Sequence, residues 1–207
     1  ILLDQISLGT FNIGGTGTAE GNVISGNGNA GIKFGNSPPV TAYIYGNIIG
    51  LNASGTAAIA NDSAGIDLAS TIHTATVASI GNGTAAGSNT ISGNLGAGID
   101  VNRGTVNIRG NYIGTSLAGS TAIGNGVSGD SQVNGGGISI SAGEVNIGTD
   151  GDGTNDSGEI NVISGNYGHG ILVTGVTNGL TIAGNIIGLN AAGTAALPNV
   201  TGSAGYT

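Results

Sequence analysis

The sequence predicts an all-β fold, a parallel β-solenoid of about six rungs arranged as three double repeats. Three observations predict it. The first is composition: 44 Gly and 24 Asn stand among 207 residues, with no Cys, Met or Trp and only seven aromatic residues. Gly costs about 1 kcal/mol relative to Ala inside a helix, and Asn prefers turns, so a helical bundle is excluded. The second is repetition. Asn-x-Ile-Ser-Gly-Asn occurs at 22–27, 89–94 and 161–166, and each copy runs on through three residues into Gly-Ile, at Gly31-Ile32, Gly98-Ile99 and Gly170-Ile171. The third is period-two alternation of apolar residues in short runs bounded by Gly and Asn, the pattern of half-buried strands.

A second segment alternates with the first: Gly46-Asn47-Ile48-Ile49-Gly50, Gly110-Asn111-Tyr112-Ile113-Gly114 and Gly184-Asn185-Ile186-Ile187-Gly188. It leads into a shared tail at 55–61, 119–125 and 193–199. The 207 residues thus divide into six units of two types, about 34.5 residues each. Each unit supplies a Gly-Ile-x-apolar strand (Ile32/Phe34, Ile66/Leu68, Ile99/Val101, Ile138/Ile140, Ile171/Val173). A second strand is anchored by Ile44, Ile80, Ile108, Ile147 and Ile182, with Ile13 as the first such anchor, and the Asn-x-Ile or Ala-Ile segments give a third. Three strands and three turns per fixed period make one rung of a solenoid, and six rungs at the interstrand spacing give a rod of roughly 30 Å. A two-sheet sandwich would need hairpin turns rather than one residue type returning at one phase.

Asn recurs at the corners in one series, Asn27, Asn61, Asn94, Asn125, Asn166 and Asn199, and in a second, Asn47, Asn111 and Asn185. Stacked side-chain amides hydrogen-bond from rung to rung, so these positions are expected to form an internal asparagine ladder rather than an exposed sugar-binding row. Thr56, Thr121 and Thr194 fall in matching loops but return only every second rung, too sparse for an ice-binding array.

The charge balance restricts partners. Three cations, Lys33, Arg103 and Arg109, face 11 acids for a net charge of −8. That leaves no basic footprint for nucleic acid or an anionic membrane surface. No apolar run reaches a membrane span. Gly-rich chains are often disordered, but 38% hydrophobic content and recurrent Ile and Val argue for a packed interior.

The Asn/Gly-rich Asn-x-Ile-Ser-Gly-Asn-x-x-x-Gly-Ile units resemble those of the right-handed parallel β-helix repeat superfamily, the pectate-lyase-like group, and more narrowly the repeats of large bacterial surface and secreted proteins. The resemblance spans the chain. It implies a single-stranded right-handed parallel β-helix and an extracellular or cell-surface location, while its functions range over lyases, hydrolases, adhesins and structural fibres.

Candidate chemistry is thin. The most suggestive cluster is the acidic loop Asp150, Asp152, Asp156 and Glu159. Fourteen residues separate Ile147 from Asn161, against nine from Ile13 to Asn22 and from Ile80 to Asn89, so a five-residue insertion carries four acids. Alternating Asp and Gly lets carboxylates converge on a hard cation, so the loop is read either as a calcium site or as a solvated acidic turn. Asp67 and Asp100 share the outward position of adjacent strands in the row Lys33, Asp67, Asp100, Ser139, Leu172. Two carboxylates about 5 Å apart are near the spacing of a retaining glycosidase pair, but the favoured reading is a surface charge ladder partly neutralised by Lys33 and Arg103. His169, in Gly168-His169-Gly170-Ile171, is similar to the Gly-His-Gly element of polygalacturonases, but the accompanying Asp cluster and Arg-x-Lys are missing. His73 lies in an irregular linker. A lyase of this fold needs clustered cations, which are absent.

The ends, Ile1-Leu2-Leu3-Asp4 and Ser203-Ala204-Gly205-Tyr206, show no polar or helical cap and fit as two halves of one rung. The expectation is one domain over 1–207, a segment or subunit of a longer extracellular rod, stacking head to tail or continuing covalently into a surface fibre or stalk. Two other functions are kept open, a carbohydrate-binding adhesin module and, less favoured, a polysaccharide lyase or hydrolase. No enzyme activity, nucleic-acid partner or membrane insertion is expected.

Overall fold

The computed structural model describes residues 1–4, 9–35, 40–68, 76–127, 136–175 and 178–200. The chain winds through six coils of three strands. Coil 1 contains β1 (Leu2–Leu3), β2 (Gly9–Gly14) and β3 (Val23–Ile24), and coil 2 contains β4 (Ile32–Phe34), β5 (Val40–Tyr45) and β6 (Ile48–Ile49). Coil 3 has β7 (Ile66–Leu68), β8 (Val77–Ile80) and β9 (Thr90–Ile91); coil 4 has β10 (Ile99–Val101), β11 (Thr105–Ile108) and β12 (Tyr112–Ile113). Coil 5 has β13 (Gly136–Ile140), β14 (Glu144–Gly148) and β15 (Val162–Ile163); coil 6 has β16 (His169–Val173), β17 (Gly179–Ala183) and β18 (Ile186–Ile187). Every third strand belongs to the same sheet, giving three six-stranded sheets, all parallel: sheet A starts with β1, sheet B with β2 and sheet C with β3. Among the described residues no helix is long and apolar enough to cross a membrane.

Register follows the repeat. Ile13, Ile44, Ile80, Ile108, Ile147 and Ile182 form one inward row of sheet B. Ile24, Ile49, Ile91, Ile113, Ile163 and Ile187 form the inward row of sheet C. Ile32, Ile66, Ile99, Ile138 and Ile171 do the same in sheet A. Identical β-branched side chains stacked one strand apart repeat the same packing from coil to coil, which is why one residue type suffices.

The coils alternate in kind. Odd coils lengthen the connection from sheet B to sheet C, whereas even coils turn that corner directly and instead extend an arm after sheet C. The arms are closed by antiparallel bridges Leu51–Ala58, Thr115–Ala122 and Leu189–Ala196. Spacing records the alternation. Register partners in sheet A lie 34, 33, 39 and 33 residues apart from Ile32 onward. In sheet C they lie 25, 42, 22, 50 and 24 apart from Ile24 onward.

β1 pairs with Lys33 and Phe34, so it is itself the sheet A strand of coil 1. Coil 1 therefore has a strand in each of the three sheets. Residues 203–206, like His73, lie outside the described residues.

Two asparagine ladders bracket sheet C. One runs Asn27, Asn61, Asn94, Asn125, Asn166, Asn199, each Nδ2 donating to the next Oδ1 at 2.6–3.0 Å. The other runs Asn22, Asn47, Asn89, Asn111, Asn161, Asn185 at 2.9–3.1 Å. Sequence reasoning found only Asn47, Asn111 and Asn185 of this row. The missed signal was Asn-x-Ile itself, which stands before the inward Ile of sheet C in every coil. Asn89 shows why the amides are tolerated while fully buried. Its Nδ2 donates to the Ile44 carbonyl and to Asn111, and its Oδ1 accepts the backbone and side-chain N–H of Asn47. Both polar atoms of the amide are satisfied, so its hydrogen bonds offset the cost of desolvation.

Candidate functional site

The two ends of the stack differ. At the first coil Ile13 and Ile24 are each 7% exposed. Phe11, whose register partners Ala42 and Ala78 are small, packs against the same core together with Leu3. At the sixth coil Ile182 is 45% and Ile187 47% exposed, although their partners Ile147 and Ile163 are buried. Val173, Leu180 and Leu189 are exposed beside them. From Gly165 to Asn199 there is no Asp, Glu, Lys or Arg, so this apolar end face is also uncharged.

The glycines of the sixth coil mark seats with nothing in them. Gly50 (φ +89) and Gly114 (φ +91) turn the chain out of sheet C in coils 2 and 4, a left-handed conformation that favours Gly. A Cβ there would strike the next coil, at Ser92 and Asn94 or at Ser164 and Asn166. The equivalent Gly188 has nothing within 4 Å. The arms behave alike. Leu117 N–H donates to the Gly55 carbonyl at 3.0 Å and Ala191 N–H to the Gly119 carbonyl at 2.9 Å, so arms stack on arms two coils apart. Gly193, the equivalent of Gly55 and Gly119, again has nothing within 4 Å.

The acidic insertion folds as a turn followed by the short helix α1 (Asp156–Glu159), entered through Asn155 at φ +63. One carboxylate oxygen from each of Asp150, Asp152 and Asp156 lies within 4.8 Å of the others, and Asp156 Oδ1 is buried without a hydrogen-bond partner. Glu159 is only 5% exposed and turned elsewhere. Its Oε1 takes Arg109 Nη1 at 2.7 Å and its Oε2 accepts the Asp150 N–H at 3.1 Å. Arg109 Nη1 also reaches Asp150 Oδ2 at 2.9 Å. The loop is thus tied to coil 4 by a cation that sequence reasoning had not connected with it, and Asn155 Nδ2 adds a bond to the Gly83 carbonyl at 2.9 Å.

The row Lys33, Asp67, Asp100, Ser139, Leu172 stands in register as read from the sequence. Lys33 Nζ sits 2.9 Å from Asp67 Oδ2. Burial, and secondarily the charge of Asp67, push the Asp100 carboxyl above its ordinary value. Arg103 is exposed and, among the described residues, forms no ion pair with Asp100. His169 is exposed opposite Gly136, a register neighbour with no carboxylate to offer.

A groove of about 480 Å³ runs over the outer face of sheet C. Its floor is Thr90, Tyr112, Val162 and Ile186, and Leu117 and Ala191 of the arms form one wall. Tyr112 is the one titratable side chain in its lining, beside the hydroxyls of Thr84, Ser88, Thr90 and Ser157.

No protein-family model, curated protein or solved structure matches the chain.

Proposed function

We propose that this chain is a structural building block of an extracellular β-solenoid rod, its coil stack continuing beyond the sixth coil into a surface fibre or stalk, either through following chain or through another copy. The observation that carries the reading is the sixth-coil face, where rows buried in every inner coil stand 45% and 47% exposed at Ile182 and Ile187. Burying one such side chain contributes about 1.5–3 kcal/mol, so a bare face of this kind favours being covered. The likeness to the repeats of bacterial surface and secreted proteins in the pectate-lyase-like superfamily supports the extracellular assignment. On this reading the chain is not an enzyme: Lys33 pairs with Asp67, and the register neighbour of His169 is Gly136.

Extending the stack tests it. A chain in which residues 137–200 are repeated after Ala204 keeps the Gly-Ile phase and is expected to melt higher, with the amides of β17 and β18 newly protected from hydrogen exchange. An unchanged melting temperature with unchanged exchange at β18 sinks the rod reading.

Within this reading the Asp150, Asp152 and Asp156 loop serves as a calcium staple on the flank. Calorimetric titration is expected to show binding in the range of extracellular modules, about 0.1–1 mM, lost in Asp152→Asn. No heat at millimolar calcium removes the staple. The groove beside Tyr112 supports a second reading, a carbohydrate-binding adhesin, because an aromatic face with hydroxyl-bearing walls suits neutral sugar rings. Retention on insoluble polysaccharides that Tyr112→Ala abolishes is the result it requires.

A further inference from the structure

We propose that the sixth-coil face receives the first coil of a second copy of this chain, in the one register that continues both asparagine ladders and the column of arms. This rests on the rod reading and names the partner and its seating.

The ladders are polar, and their ends match. Within the stack each Asn Nδ2 points to the coil that follows and each Oδ1 accepts from the coil before. Among the described residues, Asn185 and Asn199 donate to backbone carbonyls of coil 6 or the coil before it but to no ladder amide beyond. Asn22 and Asn27, both exposed, donate to Asn47 and Asn61, while among the described residues no N–H donates to their own Oδ1 atoms. Two donors at one end thus face two acceptors at the other.

The seats give the register. Coil 1 carries Ser25-Gly26-Asn27, the same element as Ser92-Gly93-Asn94 and Ser164-Gly165-Asn166, whose Ser carbonyls and Asn side chains lie over Gly50 and Gly114. Ser25 and Asn27 of a second copy would lie over Gly188 in the same way. Two coils further on, its Ala53 would lie over Gly193, as Leu117 lies over Gly55 and Ala191 over Gly119. A shift of one coil puts an even coil on an even coil and leaves both glycine seats without their partners. The apolar surfaces also correspond, with Phe11 and Leu3 on one side and Leu180, Ile182 and Ile187 on the other. The sixth coil brings no Asp or Glu to the contact, so Asp4 and Glu20 of coil 1 meet no like charge there. Because the two surfaces are different, the contact is heterologous and propagates instead of closing.

The experiment is light scattering with electron microscopy on the full chain across a concentration series, with Ala53→Arg and Ile187→Asp. Ala53 is exposed at an arm tip, so its replacement leaves the single chain intact, which an unchanged melting temperature checks. Expected are rods growing in steps of one chain length, with association weakened at least tenfold by either substitution. Association weakened by Ile187→Asp but within twofold of normal for Ala53→Arg overturns this register while leaving the rod reading in place. A wild-type chain that stays monomeric at every concentration overturns the second copy as partner. The rod reading then stands or falls on the extended chain, whose stability is measured independently of association.

Discussion

The first and sixth coils are built from the same strands in the same order, yet one closes its interior and the other leaves it open. The difference rests on few residues. Phe11 stands where coils 2 and 3 place Ala42 and Ala78, and it packs against the first-coil core. The sixth coil keeps Leu180 and Ile182 in the standard rows with no further strand over them among the described residues, and both are exposed. Coil stacks gain stability chiefly at the contacts between neighbours, so a coil with one neighbour is worth about half of one with two.

The largest expected effect separates inner coils from the open end. Ile147→Ala is expected to lower unfolding free energy by about 3 kcal/mol, as for other fully buried aliphatic truncations. Ile182→Ala, in the same row, should cost under about 1 kcal/mol, since that side chain has already lost much of its packing. Denaturant titrations of the two variants measure this, and equal losses would show the sixth coil to be covered.

Next comes the ladder. Asn125→Ala strands the Asn94 amide donor and the Ile91 carbonyl in a buried site, so about 2–3 kcal/mol should go. The same change at exposed Asn27 should remove under about 1 kcal/mol. A comparable loss at both positions would mean that burial does not set the value of a ladder amide. Phe11→Ala then tests the closed end: a loss of about 2 kcal/mol, with increased exchange at Ile13 and Ile24, is expected of a partly buried aromatic. If those amides stay protected, something other than Phe11 covers the first coil.

The smallest effect lies on the flank, away from both ends. The folded Asp100 carboxyl is held above its ordinary value, so its contribution is full at low pH and is lost as pH rises through that raised value. Asp100→Asn is therefore expected to raise the melting temperature modestly at pH 7, with the gain vanishing as the solution is acidified below the ordinary carboxylate range. A gain that persists unchanged under acid conditions would trace to something other than charge.

Much of this was legible in the sequence because the determinants are local and periodic. Gly-Ile at one phase fixes sheet A residue by residue, including the whole row from Lys33 to Leu172. Half of the second ladder was missed because Asn22, Asn89 and Asn161 open a motif that looks unlike Gly46-Asn47-Ile48, although both place Asn two residues before the same inward row. Arg109 with Glu159, 50 residues apart, was invisible because neither position repeats. The arm-on-arm contact was hidden for a different reason. It joins coils two apart, and a reading organised by adjacent rungs does not look there.

The unequal spacing of the sheets has a consequence for how such a chain changes over generations. Sheet C tolerates intervals from 22 to 50 residues while its ladder bonds stay at 2.9–3.1 Å. The acidic insertion is a case in point: Asn111 and Asn161 bond at 3.0 Å across it. Connections on that side can lengthen, shorten or acquire new chemistry without renegotiating the axis. The fold therefore has two compartments, a frame of registered rows and ladders and a margin of connections whose length the frame does not dictate.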